Sequence, residues 1–162
     1  MEYFMLEEDN KLENKLKINF FDNKFGEENP FILNLKIEKY TQFQDYILGK
    51  NIFTHYFCIS DKLYEIFCMY DDFKIVPFFI TDVEKKLQIP YFKIEIDELK
   101  CIVNEDINKI EDIEIYKNKI KDKYIFKVKC KTIERIIISI HLAENILKVL
   151  PYGIKLIPVK LK

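Results

Sequence analysis

The sequence predicts an α+β fold, with mixed or antiparallel sheets and a few helices. Three observations lead there. Short runs such as residues 91–96 and 125–131 alternate apolar and polar side chains, the period-two signature of strands. Residues 61–70 and 140–150 instead carry apolar side chains at helical spacing, each behind a serine. Both helical runs sit inside units of one plan: strand, serine, helix, short turn, strand with a late proline.

Residues 1–30 are polar and read as loop, ending in the turn signal Gly26-Glu27-Glu28-Asn29-Pro30. Residues 31–37 read as a strand. Residues 38–49 read as a helix with Tyr40, Phe43, Ile47 and Leu48 on one face. His55-Tyr56-Phe57-Cys58-Ile59 is an apolar strand. Ser60 has the chemistry of a helix N-cap, because its hydroxyl can accept a bond from an unpaired helical N–H. Asp61 follows where a negative charge suits the helix dipole, and Leu63, Ile66, Phe67 and Tyr70 supply the buried face. Asp71-Asp72 is a turn and residues 73–80 a strand.

In residues 91–96, Phe92, Ile94 and Ile96 face one way. Residues 97–123 are mixed, with strand-like pieces at 101–103 and 113–115. In residues 125–131, Phe126, Val128 and Cys130 point inward and three lysines outward. Ile136-Ile137-Ile138 is a strand, Ser139 a second N-cap, 140–150 a helix, Pro151-Tyr152-Gly153 a turn and 154–159 the closing strand. The expected organisation is a single domain over 1–162, with a first half at 31–96 and a second at 97–162.

A chain of 162 residues is one ordinary domain, and 49% hydrophobic with 33% charged residues excludes a disordered chain. Met1-Glu2-Tyr3-Phe4 has neither a basic nor an apolar region of a secretory signal, and no run is long enough for a membrane span. Cys58, Cys68, Cys101 and Cys130 are far apart inside apolar runs, which reads as reduced core thiols. A cytoplasmic protein is expected. Charge is unevenly spread: residues 115–162 hold 12 basic and 3 acidic side chains, residues 1–114 hold 14 and 24. Such a dipolar chain can steer a charged partner.

The two units align residue by residue. Ile59-Ser60 matches Ile138-Ser139, Leu63 matches Leu142, Glu65 matches Glu144, and after a shift in the turn Lys74 matches Lys155 and Pro77 matches Pro158. A repeat of about 80 residues means two related halves rather than a solenoid. Because proline has no N–H for a ladder, Pro77 and Pro158 should lie on edge strands, bulges or strand ends.

On these residues, together with Tyr91-Phe92-Lys93-Ile94, Cys101-Ile102-Val103-Asn104-Glu105-Asp106, Ile125-Phe126-Lys127-Val128 and Gly153-Ile154-Lys155-Leu156-Ile157-Pro158, the chain resembles the polymorphic-toxin immunity proteins of families eleven and forty-three. The likeness runs in order from about residue 31 to 161. It implies a bacterial protein, not an enzyme, that binds and neutralises the toxin domain encoded beside it. The matched positions are caps, turns and core residues, so the resemblance carries across no toxin-contact residue.

The residues themselves offer little chemistry. His55 and Cys58 point to opposite faces of a strand, since an odd spacing reverses the side chain, and cannot easily pair as base and nucleophile. With two histidines and no C-x-x-C, no metal is expected. Three separated glycines make no phosphate loop. No cofactor, small-molecule substrate or membrane partner is expected.

Lys127, Lys129 and Lys131, after Lys117, Lys119, Lys121 and Lys123, could neutralise phosphates. They suit better an edge strand kept from self-pairing, so a nucleic-acid-binding accessory role is the alternative. The acidic stretch holds Glu95, Asp97, Glu98 and Glu105, then Asp106, Glu111, Asp112 and Glu114, against Lys100 and Lys109. These eight carboxylates are the candidate toxin contacts, because complementary potential speeds encounter with a cationic partner.

Overall fold

The computed structural model describes residues Met1–Lys162 and is α+β. In chain order it holds β1 (Tyr3–Glu8), a 3-10 turn (Asn23–Gly26), β2 (Phe31–Asn34), β3 (Tyr46–Lys50), β4 (His55–Ser60), α1 (Asp61–Cys68), β5 (Lys74–Asp82) and β6 (Leu87–Glu95). A second 3-10 turn (Ile110–Asp112) follows, then β7 (Glu114–Ile115), α2 (Lys117–Ile120), β8 (Ile125–Cys130), β9 (Ile133–Ser139), α3 (Ile140–Lys148), β10 (Ile154–Pro158) and β11 (Lys160–Leu161). Two main sheets form, ordered β2-β5-β6-β4-β3 and β10-β1-β9-β8, beside a small β7–β11 pair. Only β2–β5 and β7–β11 are parallel.

The two units share a topology. A hairpin, β3–β4 or β8–β9, runs through a serine into a helix, and the helix returns a strand parallel to the one before it. In each sheet that returning strand lies two places away, because an antiparallel strand fills the gap. In the first unit the filler is β6, the next strand in the chain. In the second it is β1, from the other end of the chain. Pro158 ends β10, a sheet edge, opposite Phe4. Pro77 departs from the expected edge or strand end: it is the fourth of nine residues of β5, an inner strand, opposite Phe92, and it is tolerated because β2 begins to pair only at Phe78.

Two further expectations are corrected here. Residues 1–30 are not loop throughout, since Tyr3–Glu8 is an inner strand. Tyr3 and Met5 face one apolar cluster while Phe4 and Leu6 face another. A strand buried on both faces shows no polar alternation, so the period-two signal is missing. Residues 38–49 form no helix. Beyond a turn closed by Thr41 N–H on Glu38 O (3.1 Å), the segment enters β3. There Tyr46 faces the central core and Ile47 the outer one, so adjacent apolar residues that mimic a helical stripe belong to opposite sides of a strand.

Three apolar clusters follow. The central one lies between the sheets and takes Leu63, Ile66 and Phe67 from α1 and Leu142, Ala143 and Ile146 from α3. Residues before β3, including Leu16, Phe20 and Phe25, cover the outer face of the first sheet. Cys101, Ile113, Ile115 and Ile120 cover that of the second. Each half thus carries its own lid, formed by the irregular chain ahead of its hairpin.

Tertiary contacts redirect one cap. Ser139 accepts from Leu142 N–H at 3.4 Å, as an N-cap should. Ser60 occupies the N-cap position of α1, but its hydroxyl makes no cap bond and donates to Asp45 Oδ1 at 2.6 Å. The other oxygen of Asp45 accepts Tyr152 N–H (2.6 Å) and lies 3.5 Å from Lys62 Nζ. Asp45 therefore ties β3 and the start of α1 to the turn after α3. At the opposite end Tyr70, beyond α1, donates to His141 O in the first turn of α3 (3.0 Å). The helices run antiparallel, in keeping with two halves related by a rough two-fold.

Tyr46 is fully buried, and its hydroxyl has no hydrogen-bond partner. Burial, then the nearby Glu7 carboxylate, pushes its pKa well above the ordinary value. An unsatisfied buried polar group costs about 1–3 kcal/mol. Tyr46→Phe, which keeps the ring, is expected to raise unfolding free energy by about 1 kcal/mol in urea titration. A loss of that size would show that the hydroxyl does bond.

Candidate functional site

The central core runs out at one end of the sheets, and a cleft of about 680 Å³ opens there. Its chemistry follows from strand periodicity. On β4, His55 shares a face with Phe57 and Ile59; on β9, Glu134 shares one with Ile136 and Ile138; on β8, Lys127 shares one with Ile125. The inner members of these rows are core residues. The outermost members are polar, and all three line the cleft.

Burial pushes His55 below its usual pKa, against the pull of Glu134, which leaves it neutral at pH 7. Burial would raise Glu134, but the Lys127 charge and hydrogen bond outweigh it and hold the carboxyl below its ordinary value. Glu134 is the shared partner of Lys127 (3.2 Å) and Lys129 (3.5 Å).

The other cations of the cleft are also engaged. Lys74 pairs with Glu28 and lies 3.8 Å from Glu95. Lys93 is buried and donates to the carbonyls of Phe25 (2.6 Å) and Glu27 (2.9 Å), and burial lowers its pKa. The sequence pattern gave no sign of this lysine under the first lid. Four exposed carboxylates, Asp71, Asp72, Asp97 and Glu98, enter no ion pair.

The β3–β4 hairpin tip forms the lip. Asn51 Oδ1 accepts the N–H groups of Phe53 (3.0 Å) and Thr54 (2.8 Å), Asn51 N–H donates to Thr54 O (3.0 Å), and its amide nitrogen donates to Tyr56 Oη (3.1 Å). This Asx turn, a local side-chain-to-backbone closure, holds Ile52 and Phe53 outward, 71% and 91% exposed.

The acidic stretch that is continuous in sequence is dispersed in space. Glu95, Asp97 and Glu98 lie on the cleft. Glu105 sits by Lys129 and Lys131, and Asp106 is 3.7 Å from Lys131. Glu111 lines a separate hollow with Glu7, Glu8 and Lys11. Asp112 is exposed in its 3-10 turn, and Glu114 is half-buried in β7. Asp71, Asp72, Glu134 and Phe53 were missed as site residues. The one available signal was an exposed aromatic at a hairpin turn, where polar residues are usual.

The lysine strand β8 is a sheet edge, and part of that edge is covered. Lys127 N–H donates to Asp97 O (2.9 Å) and Leu99 N–H to Lys127 O (2.8 Å). Cys58 is fully buried on the face away from His55, its thiol pKa pushed up by burial. Cys101, also buried, is pushed up to about 11 by burial, and Cys130 is buried too. Cys68 departs from the expected core thiol: it ends α1 and is exposed, because its position falls on the helix face turned from Leu63 and Ile66. No group of three His, Cys, Asp or Glu side chains is placed to hold a metal ion. No helix is long and apolar enough to cross a membrane.

Fold and site together define an α+β protein of two related halves, with an acidic cleft and an apolar lip at one end. Comparison with family models, curated proteins and solved structures gives no match.

Proposed function

We propose that this chain is a non-enzymatic immunity protein, acting in the bacterial cytoplasm, that binds and occludes a cognate toxin domain. The observation that carries the reading is the exposed Ile52-Phe53 tip, its backbone closed by Asn51, beside carboxylates that no lysine neutralises. Adjacent large apolar side chains exposed at the rim of a cleft suit recognition of a partner. The partner class rests on the resemblance of the collinear motifs to those of the immunity families. The edge lysines favour the nucleic-acid alternative little, since Lys127, Lys129 and Lys131 already face Glu134 and Asp106.

The test is co-expression with the C-terminal domain of a secreted protein encoded beside this chain, which the reading requires. Growth should be arrested by that domain alone and restored by this chain, and the two should co-elute as a complex. Failure to restore growth or to form a complex, with salt-sensitive retention on duplex DNA, would replace this reading with the nucleic-acid one.

A further inference from the structure

We propose that the toxin docks on the hairpin lip, seating Phe53 in an apolar socket and directing a lysine- or arginine-bearing segment into the cleft beneath it. This rests on the immunity reading and adds the surface and the chemistry of the partner.

The anchor is Phe53. Nothing in the fold uses its ring, yet Asn51 closes the turn beneath it through both side chain and backbone. A turn whose backbone is already closed orders less on binding, so more of the contact energy of its exposed aromatic appears as affinity. Interfaces draw most of their energy from a few such anchors.

The occupant follows from charge. The cleft is lined by six carboxylates and three lysines. Those lysines are held by Glu28, Glu95, Glu134 or backbone carbonyls, whereas Asp71, Asp72, Asp97 and Glu98 are free. The site therefore repels phosphates and attracts cations. A second copy of this chain is disfavoured as occupant, because a two-fold contact would bring the same acidic surface against itself. A basic protein segment satisfies both the socket and the charge.

The experiment measures binding kinetics of the neighbour-encoded toxin domain with four forms of the full chain. These are wild type, Phe53→Ser, a fourfold variant (Asp71→Asn, Asp72→Asn, Asp97→Asn, Glu98→Gln), and a control (Glu111→Gln with Asp112→Asn) on exposed residues outside the cleft. All the altered side chains are exposed, so melting temperatures should match. Phe53→Ser should raise Kd at least about 30-fold, mostly through faster dissociation. The fourfold variant should slow association several-fold at low salt and hardly at high salt, since the attraction is screened over about 8 Å at physiological ionic strength. The control should bind like wild type. If wild type binds and both lip and cleft variants bind equally well, the docking surface is overturned while the immunity reading stands. If wild type does not bind the domain at all, the immunity reading fails and this inference falls with it.

Discussion

Phe25→Ala is expected to lower unfolding free energy by about 3–5 kcal/mol, the range for deleting a buried aromatic ring. Phe25 is fully buried, with its ring centroid 4.7 Å from Phe20, 5.2 Å from Phe31, and 5.5 Å from both Tyr56 and Phe78. It is the point where the first lid and three strands of the first sheet meet. Its carbonyl also receives Lys93 Nζ, so a loosened turn would withdraw an acceptor from a buried ammonium. The damage should stay on one side of the molecule. Hydrogen exchange should accelerate across residues 16–34 and in β5 before it changes in β8 or β9. The neighbouring Phe21→Ala, at a position 65% exposed, should cost under about 0.5 kcal/mol. Equal loosening of both sheets would show that the first lid is not an independent layer.

Asp45→Ala is expected to cost about 3 kcal/mol in urea denaturation. The side chain is nearly buried and accepts from the Ser60 hydroxyl and the Tyr152 amide, both at 2.6 Å. Alanine leaves both donors unpaired, and each orphaned donor costs about 1–3 kcal/mol. Lys62, about half exposed and 3.5 Å away, adds little to the pair. Asp45→Asn should recover most of the loss. Its oxygen can accept the Tyr152 N–H while its amide donates to Ser60 Oγ, which can accept as well as donate. Ser60→Ala should cost less than Asp45→Ala, because only one bond of the junction is lost. An alanine variant within 1 kcal/mol of wild type would mean that the two halves are fastened elsewhere.

These sites mark the line between what local sequence encodes and what it does not. Periodicity was legible wherever one face of an element is polar, as in α1, α3 and β6; the alternation of β8 was legible too, but Lys127 shares the face of Ile125 and lines the cleft rather than pointing outward. The Ser139 cap and the late proline of β10 were legible too, because caps and missing N–H groups act within a few residues. The cleft was only partly legible. Glu95, Asp97 and Glu98 stood out as part of an acidic run, but Asp71 and Asp72 read as a mere turn. Glu134, next to Arg135 in a strand, carried no sign that it would meet Lys127 and His55 from other strands.

The sequence by itself determined the α+β class, the two strand–serine–helix–strand units and the lysine-guarded edge, since each depends on side chains that are neighbours along the chain. Tertiary structure alone decided that β1 fills the gap between β9 and β10, that β3 is a strand, and that Asp45 takes the Ser60 hydroxyl from its helix. It also decided which carboxylates gather at the cleft. The physical reason is common to all of them. A strand buried on both faces has no alternation to read, and a polar group's partner is set by which distant segments the sheets bring within hydrogen-bonding or Coulombic reach.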